Sequence, residues 1–140
     1  MNKVLGLDLG KKTCGIAYSD ALGFVHGVET YRFKAFDYED AAAHVDKLLK
    51  EKGITEIALG LPLHLSGELS EMAQNVLHFK DLLLALDPNY TIELVDERYS
   101  SVIANNTISA LNMNHEKRKQ VVDTYAACEI LDTYIRKKGK

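Results

Sequence analysis

Three carboxylates in this chain stand where the surrounding pattern calls for apolar or small residues. Asp8 falls inside Val4-Leu5-Gly6-Leu7-Asp8-Leu9. Alternation along that run puts Leu5, Leu7 and Leu9 on one face of a strand and Val4, Gly6 and Asp8 on the other. A carboxylate is expensive to bury unless it is paired or held against a cation. Glu97 follows Asp96 directly after the apolar pair Leu94-Val95, at the carboxyl end of another strand-like run. Asp123 precedes Ala127, Ile130 and Leu131 at helical spacing, which places it on the apolar stripe of a helix that faces a sheet. Each position also has a structural reading. Asp8 can cap the following turn, Glu97 can pair with Arg98, and Asp123 can complement a helix N-terminus.

Together the three acids point to one chemistry. If they converge, they repel one another, and some must protonate unless a cation neutralises them. A hard, oxygen-seeking divalent ion, Mg²⁺ or Mn²⁺, suits such a donor set and leaves coordination positions for phosphate oxygens. Two ions about 4 Å apart would activate a water and stabilise the leaving oxygen of an in-line phosphodiester displacement. No rival metal set is evident, because His26, His44, His64, His78 and His115 lack ligand spacing and Cys14 and Cys128 form no CxxC pair. Lys11, Lys12 and Ser19 are candidate phosphate contacts on the hairpin that carries Asp8. Gly6, Gly10, Gly15 and Ala17 keep its Asp8 face low enough for a backbone or phosphate to come close. The alternative for these is an ordinary turn that needs Gly10 and a solvated Lys11.

The elements that must position these residues are legible from periodicity. Val4–Leu9 and Cys14–Tyr18 alternate around the turn Gly10-Lys11-Lys12, the pattern of a hairpin, and a third strand is expected over Val25–Tyr31. Ala41, Val45, Leu48 and Leu49 recur at helical spacing, with Gly53 as the stop. A strand is expected over Ile54–Leu61, a helix over Ser70–Leu86 and a strand over Tyr90–Val95. A short helix is expected over Ser101–Leu111, a polar loop over Asn112–Lys119 and a last helix over Val121–Ile135. Three meandering strands followed by two helix–strand units predict an α/β fold. Its sheet is mixed and five-stranded, with a three-strand antiparallel meander and two parallel strands flanked by helices. Ligands in such sheets gather at the carboxyl ends of the parallel strands, near the switch in strand order.

Composition bounds the rest. At roughly 100–200 residues per domain, the 140 residues predict one domain over 1–140. A formal net charge of −3 excludes a general polycation that coats nucleic acid by charge alone. The charge is unevenly spread: residues 1–114 are net −6 and residues 115–140 net +3. Arg136, Lys137, Lys138 and Lys140 suit the C-terminal end of a helix. Lys117, Arg118 and Lys119, near Asp123, are read as a phosphate grip, with a solvated loop as the alternative. The longest strongly apolar stretch, Leu82–Leu86, is far short of the roughly 20 residues of a bilayer helix, and the first residues carry no signal-peptide layout. A cytosolic protein without a membrane partner is the expectation.

Four segments, in order, resemble the YqgF (RuvX-type) family of the ribonuclease H-like superfamily. They are Gly6-Leu7-Asp8-Leu9-Gly10-Lys11-Lys12 through Asp20, Gly60-Leu61-Pro62-Leu63-His64-Leu65-Ser66-Gly67, Asp96-Glu97-Arg98-Tyr99-Ser100-Ser101, and Lys119-Gln120-Val121-Val122-Asp123 through Ala127. The chain departs from the family pattern at His64-Leu65, Tyr99 and Ser101, which bears on substrate contacts more than on reaction class. The resemblance implies a ribonuclease H-like fold and a metal-dependent nuclease with Asp8, Glu97 and Asp123 as catalytic metal ligands. Its substrate would be the 5′ end of pre-16S rRNA or, alternatively, a four-way DNA junction. Asp96 competes with Glu97, but alternation sends the two to opposite faces. Arg98 joins the lysines as a candidate substrate contact. A monomer or weak homodimer is expected, with a symmetric dimer for junction resolution. A non-catalytic RNA-binding factor would not need all three acids.

Overall fold

The protein is described by a computed structural model over residues 3–63, 66, 70–96 and 115–138, with 115–123 and 138 described by backbone alone. The elements are β1 (Val4–Leu9), β2 (Thr13–Ser19), β3 (Val25–Arg32), α1 (Tyr38–Lys52), β4 (Glu56–Leu61), α2 (Glu71–Leu86), β5 (Thr91–Asp96) and α3 (His115–Lys138). The strands form one sheet in the order β3-β2-β1-β4-β5. β1 runs antiparallel to β2 and β2 to β3, whereas β1 pairs parallel with β4 and β4 with β5. This is the mixed sheet expected from the alternation of elements.

Residue size separates the two faces of the sheet. Leu5, Leu7, Leu9, Ile16, Ile57 and Leu59 project toward α1 and α2, where they bury against Val45, Leu49, Val76, Phe79 and Leu83. The opposite face is built from small residues and packs against Ala127, Ile130, Leu131 and Tyr134 of α3. Gly6, Ala17, Gly27 and Ala58 lie on one row across four strands. A Cβ at Gly6 would lie 2.4 Å from Cγ of Leu131 and 2.9 Å from the carbonyl oxygen of Ala127, and one at Gly27 would lie 2.8 Å from Cγ2 of Thr124. The low surface expected around Asp8 thus admits a backbone, and at Gly6 that backbone belongs to α3.

Local signals set the helix limits. Asp37 caps α1 by accepting from Asp40 N–H, and Gly53, at φ 67°, closes it with its N–H on the Leu49 carbonyl. Ser70 caps α2 through Ala73 N–H, and its hydroxyl donates to the Pro62 carbonyl at 2.6 Å, tying the helix start to the end of β4. Most boundaries fall within one residue of expectation, α3 runs on to Lys138 rather than Ile135, and two starts shift by two residues or more. β4 begins at Glu56 rather than Ile54, and α3 begins at His115 rather than Val121, so Lys117, Arg118 and Lys119 stand on a helix and not in a loop. The expected helix over Ser101–Leu111 lies outside the described residues. Among the described residues no helix is long and apolar enough to cross a membrane.

Candidate functional site

The candidate site lies where β1, β4 and β5 reach their carboxyl ends. Parallel register pairs Leu7 with Leu59, Leu59 with Leu94 and Leu61 with Asp96, so the three strands end on one side of the sheet. Asp8, half-buried, is the penultimate residue of β1. It has the parity of Gly6, so it belongs to the α3 face. Asp8 pairs with Gly15, and Gly15 with Thr30. The Thr30 hydroxyl lies 2.9 Å from the hydroxyl of Thr124 on α3. The helical turn that holds residue 123 therefore meets the sheet on the row of Asp8, two strands away. The Asp123 side chain, Glu97 and Arg98 lie outside the described residues. Asp96, which ends β5, has the parity of Leu94 on the α1/α2 face. It also lines a cleft of about 140 Å³ at the β5 edge with Glu93, Thr133, Tyr134 and Lys137. Among the described residues no group of three His, Cys, Asp or Glu side chains converges.

The turn beyond Asp8 is braced from outside the hairpin. Gly10 N–H donates to the Thr13 carbonyl at 2.6 Å, closing the turn. The three successive carbonyls of Gly10, Lys11 and Lys12 are then taken by the segment from Phe33 to the first residue of α1. Tyr38 Oη donates to Gly10 at 3.3 Å, Phe36 N–H to Lys11 at 2.8 Å and Phe33 N–H to Lys12 at 2.9 Å. Burial raises the pKa of Tyr38 above the usual tyrosine value, so its hydroxyl stays a donor. With its carbonyls fixed, the turn presents exposed Lys11 and Lys12 at the Asp8 end of the sheet. Ser19 does not join them. It pairs with Val4 at the other end of the hairpin, is fully buried, and accepts the Val4 N–H at 3.1 Å. The expectation of a phosphate contact there is corrected, because the hydroxyl satisfies a buried backbone donor.

Sequence reasoning missed the bracing loop. Four of the eleven Phe and Tyr residues lie between positions 31 and 38, and that density was the available signal. Their rings form a row, Tyr31 to Phe33 at 6.3 Å, Phe33 to Tyr38 at 5.8 Å and Tyr38 to Phe36 at 6.3 Å between centroids.

Comparison with known proteins extends these observations. The family model described as "RuvX: Holliday junction resolvase" matches residues 2–137. A Natranaerobius thermophilus protein named "Putative pre-16S rRNA nuclease" is 37% identical over 134 residues, covering 95% of this chain and 93% of its own. A Staphylococcus aureus (strain JH9) protein of the same name is 32% identical over 135 residues, covering 96% and 95%. Among solved structures, T. thermophilus RuvC in complex with Holliday junction substrate matches with a TM-score of 0.61 at 14% identity, covering 99% of this chain and 97% of that one. A second Thermus thermophilus RuvC structure matches at 0.59 and 12% identity, covering 98% and 96%. At such identities the likeness is one of fold, and the fold is the ribonuclease H-like one.

Proposed function

The chain belongs to the RuvX family, and from that membership we propose that it is a metal-dependent nuclease that hydrolyses phosphodiester bonds at the 5′ end of pre-16S rRNA. The observation that carries the reading is the position of Asp8. It is a half-buried carboxylate at the carboxyl end of β1, on the sheet face that α3 crosses, in the row met by the turn of residue 123. An all-carboxylate donor set of Asp8, Glu97 and Asp123 fits a hard divalent cation, Mg²⁺ or Mn²⁺. Such an ion, held by these residues, would make a water more acidic and would offset charge on the leaving oxygen.

The chain's own residues supply the rest. Asp8 holds its carboxylate on a rigid strand, so little reorganisation accompanies ion or phosphate binding. Lys11 and Lys12 project from a turn whose carbonyls are all engaged, and they orient the nucleic-acid backbone toward Asp8. Arg98, Lys117, Arg118 and Lys119 extend the cationic surface in this reading. The protein acts as one domain in the cytoplasm, as a monomer or weak homodimer.

A second reading, a resolvase of four-way DNA junctions, is favoured by the family description and by the RuvC fold. RNA and DNA present the same phosphates, and only contacts to the 2′-hydroxyl distinguish them. The deciding experiment incubates a precursor rRNA fragment and a synthetic four-way junction with the protein, with and without Mg²⁺ or Mn²⁺. The expected result is ion-dependent cleavage of the rRNA, lost in Asp8→Asn. Preferred cleavage of the junction by a dimer would transfer the assignment to the resolvase, and full activity of Asp8→Asn would remove the mechanism.

A further inference from the structure

Phe36 combines three properties that the fold does not require together. It is the one non-glycine residue with positive φ among the described residues, at 63°. That conformation is rare for a bulky side chain, whereas glycine and asparagine adopt it readily. The residue is nevertheless 57% exposed, so burial does not account for a phenylalanine here. Its backbone N–H is fixed on the Lys11 carbonyl at 2.8 Å, which places the backbone of residue 36 beside the turn that follows Asp8. Exposed Lys34 stands in the same loop, and exposed Lys11 and Lys12 stand in the turn to which the loop is hydrogen-bonded. Of the nearby carboxylates, Asp37 caps α1 and Asp40 accepts the Tyr31 hydroxyl, so both are engaged within the fold, and Glu39 lies on the first turn of α1.

We propose that Phe36 is a stacking platform for an unpaired nucleobase of the substrate, with Lys11, Lys12 and Lys34 contacting the adjoining phosphates. This rests on the nuclease reading and adds a substrate class to it: a strand locally single at the site, rather than a continuous duplex. An aromatic face beside cations is the usual recognition of single strands, since every base has a π face and the backbone supplies the charge. A phenyl ring on two side-chain torsions loses little freedom when a base docks, and the hydrogen bond to Lys11 already holds the backbone that carries it.

The chain contains no tryptophan, so Phe36→Trp gives a single-tryptophan protein. Its fluorescence is titrated with a short single-stranded RNA of mixed sequence, the DNA strand of the same sequence, and the RNA duplex. Binding of the unsubstituted protein and of Phe36→Asn, which tolerates positive φ, is measured in parallel with thermal unfolding. The expected results are quenching of Phe36→Trp by the single strands and not by the duplex, binding by Phe36→Asn at least about fivefold weaker, and an unchanged or raised Tm. A difference between the RNA and DNA arms identifies which single strand is taken. Equal binding by Phe36→Asn and the unsubstituted protein overturns the proposal while leaving the nuclease reading intact. A lowered Tm with unquenched Phe36→Trp also overturns it, by assigning the ring to packing on Tyr38. Failure of the unsubstituted protein to bind any of the three nucleic acids overturns both readings.

Discussion

The two faces of the sheet use opposite means toward different ends. Toward α1 and α2 the strands present leucine and isoleucine, and Phe79 of α2, fully buried, lies in that layer. Toward α3 they present Gly6, Ala17, Gly27 and Ala58, and the helix backbone comes within contact distance of Gly6. Apolar bulk stabilises in proportion to buried area, so the first face holds most of the hydrophobic stabilisation. The second face gives up that area for closeness, and it is the face to which Asp8 belongs. The large buried side chains and the Asp8 carboxylate thereby belong to separate layers of one small molecule.

That division is open to breaking by substitution. Phe79→Ala removes a fully buried ring from the α1/α2 layer and is expected to cost about 3–5 kcal/mol of unfolding free energy in denaturant titration. Below its lowered Tm, its cleavage rate should match that of the unsubstituted protein, because nothing on the Asp8 face has moved. Gly6→Ala acts on the other layer. Its Cβ meets Leu131 and the Ala127 carbonyl, so α3 must shift, at an expected cost of about 1–3 kcal/mol. Its cleavage rate should fall by more than that of Phe79→Ala despite the smaller loss of stability. The reverse order of activities would end the distinction between the faces.

A finer test uses the far end of α3. Tyr134, 3% exposed, donates to the carboxylate of Glu56 at the start of β4. Burial first, then the Glu56 hydrogen bond and the charges of Glu56 and Glu93, raise its pKa above the usual tyrosine value. The folded state therefore keeps a proton that the unfolded chain loses near about pH 10. Its contribution is complete below that pH and declines as pH rises toward the folded value. Tyr134→Phe should cost about 1 kcal/mol in denaturant unfolding at neutral pH and flatten this alkaline decline. An unaltered alkaline profile would remove Tyr134 as its source.

The sequence made the α1/α2 face easy to read and the α3 face hard. Period-two leucines in β1 and helical spacing in α1 and α2 mark surfaces that bury large side chains, and those elements fall within two or three residues of expectation. Periodicity gives no signal where apolar residues are absent. His115 to Gln120 contains none, so the first turns of α3 read as loop although Glu, Lys, Arg and Gln are good helix formers. Asp8 was legible because a charge interrupts an apolar alternation. Ser19 was misread because a hydroxyl on a strand looks alike whether it meets solvent or, as here, a buried N–H. The bracing of the turn by Phe33, Phe36 and Tyr38 depends on contacts across more than twenty residues; the local density of aromatic residues marks the segment but not its partner.

The central claim is that Asp8, Glu97 and Asp123 share a divalent ion. Titration of the protein with Mn²⁺, followed by the loss of the free-ion paramagnetic resonance signal, tests it without reference to any substrate. Saturable binding that is lost or strongly weakened in each of Asp8→Asn, Glu97→Gln and Asp123→Asn, with folding retained, is the predicted result. Unchanged Mn²⁺ affinity in any one of the three would contradict a shared site.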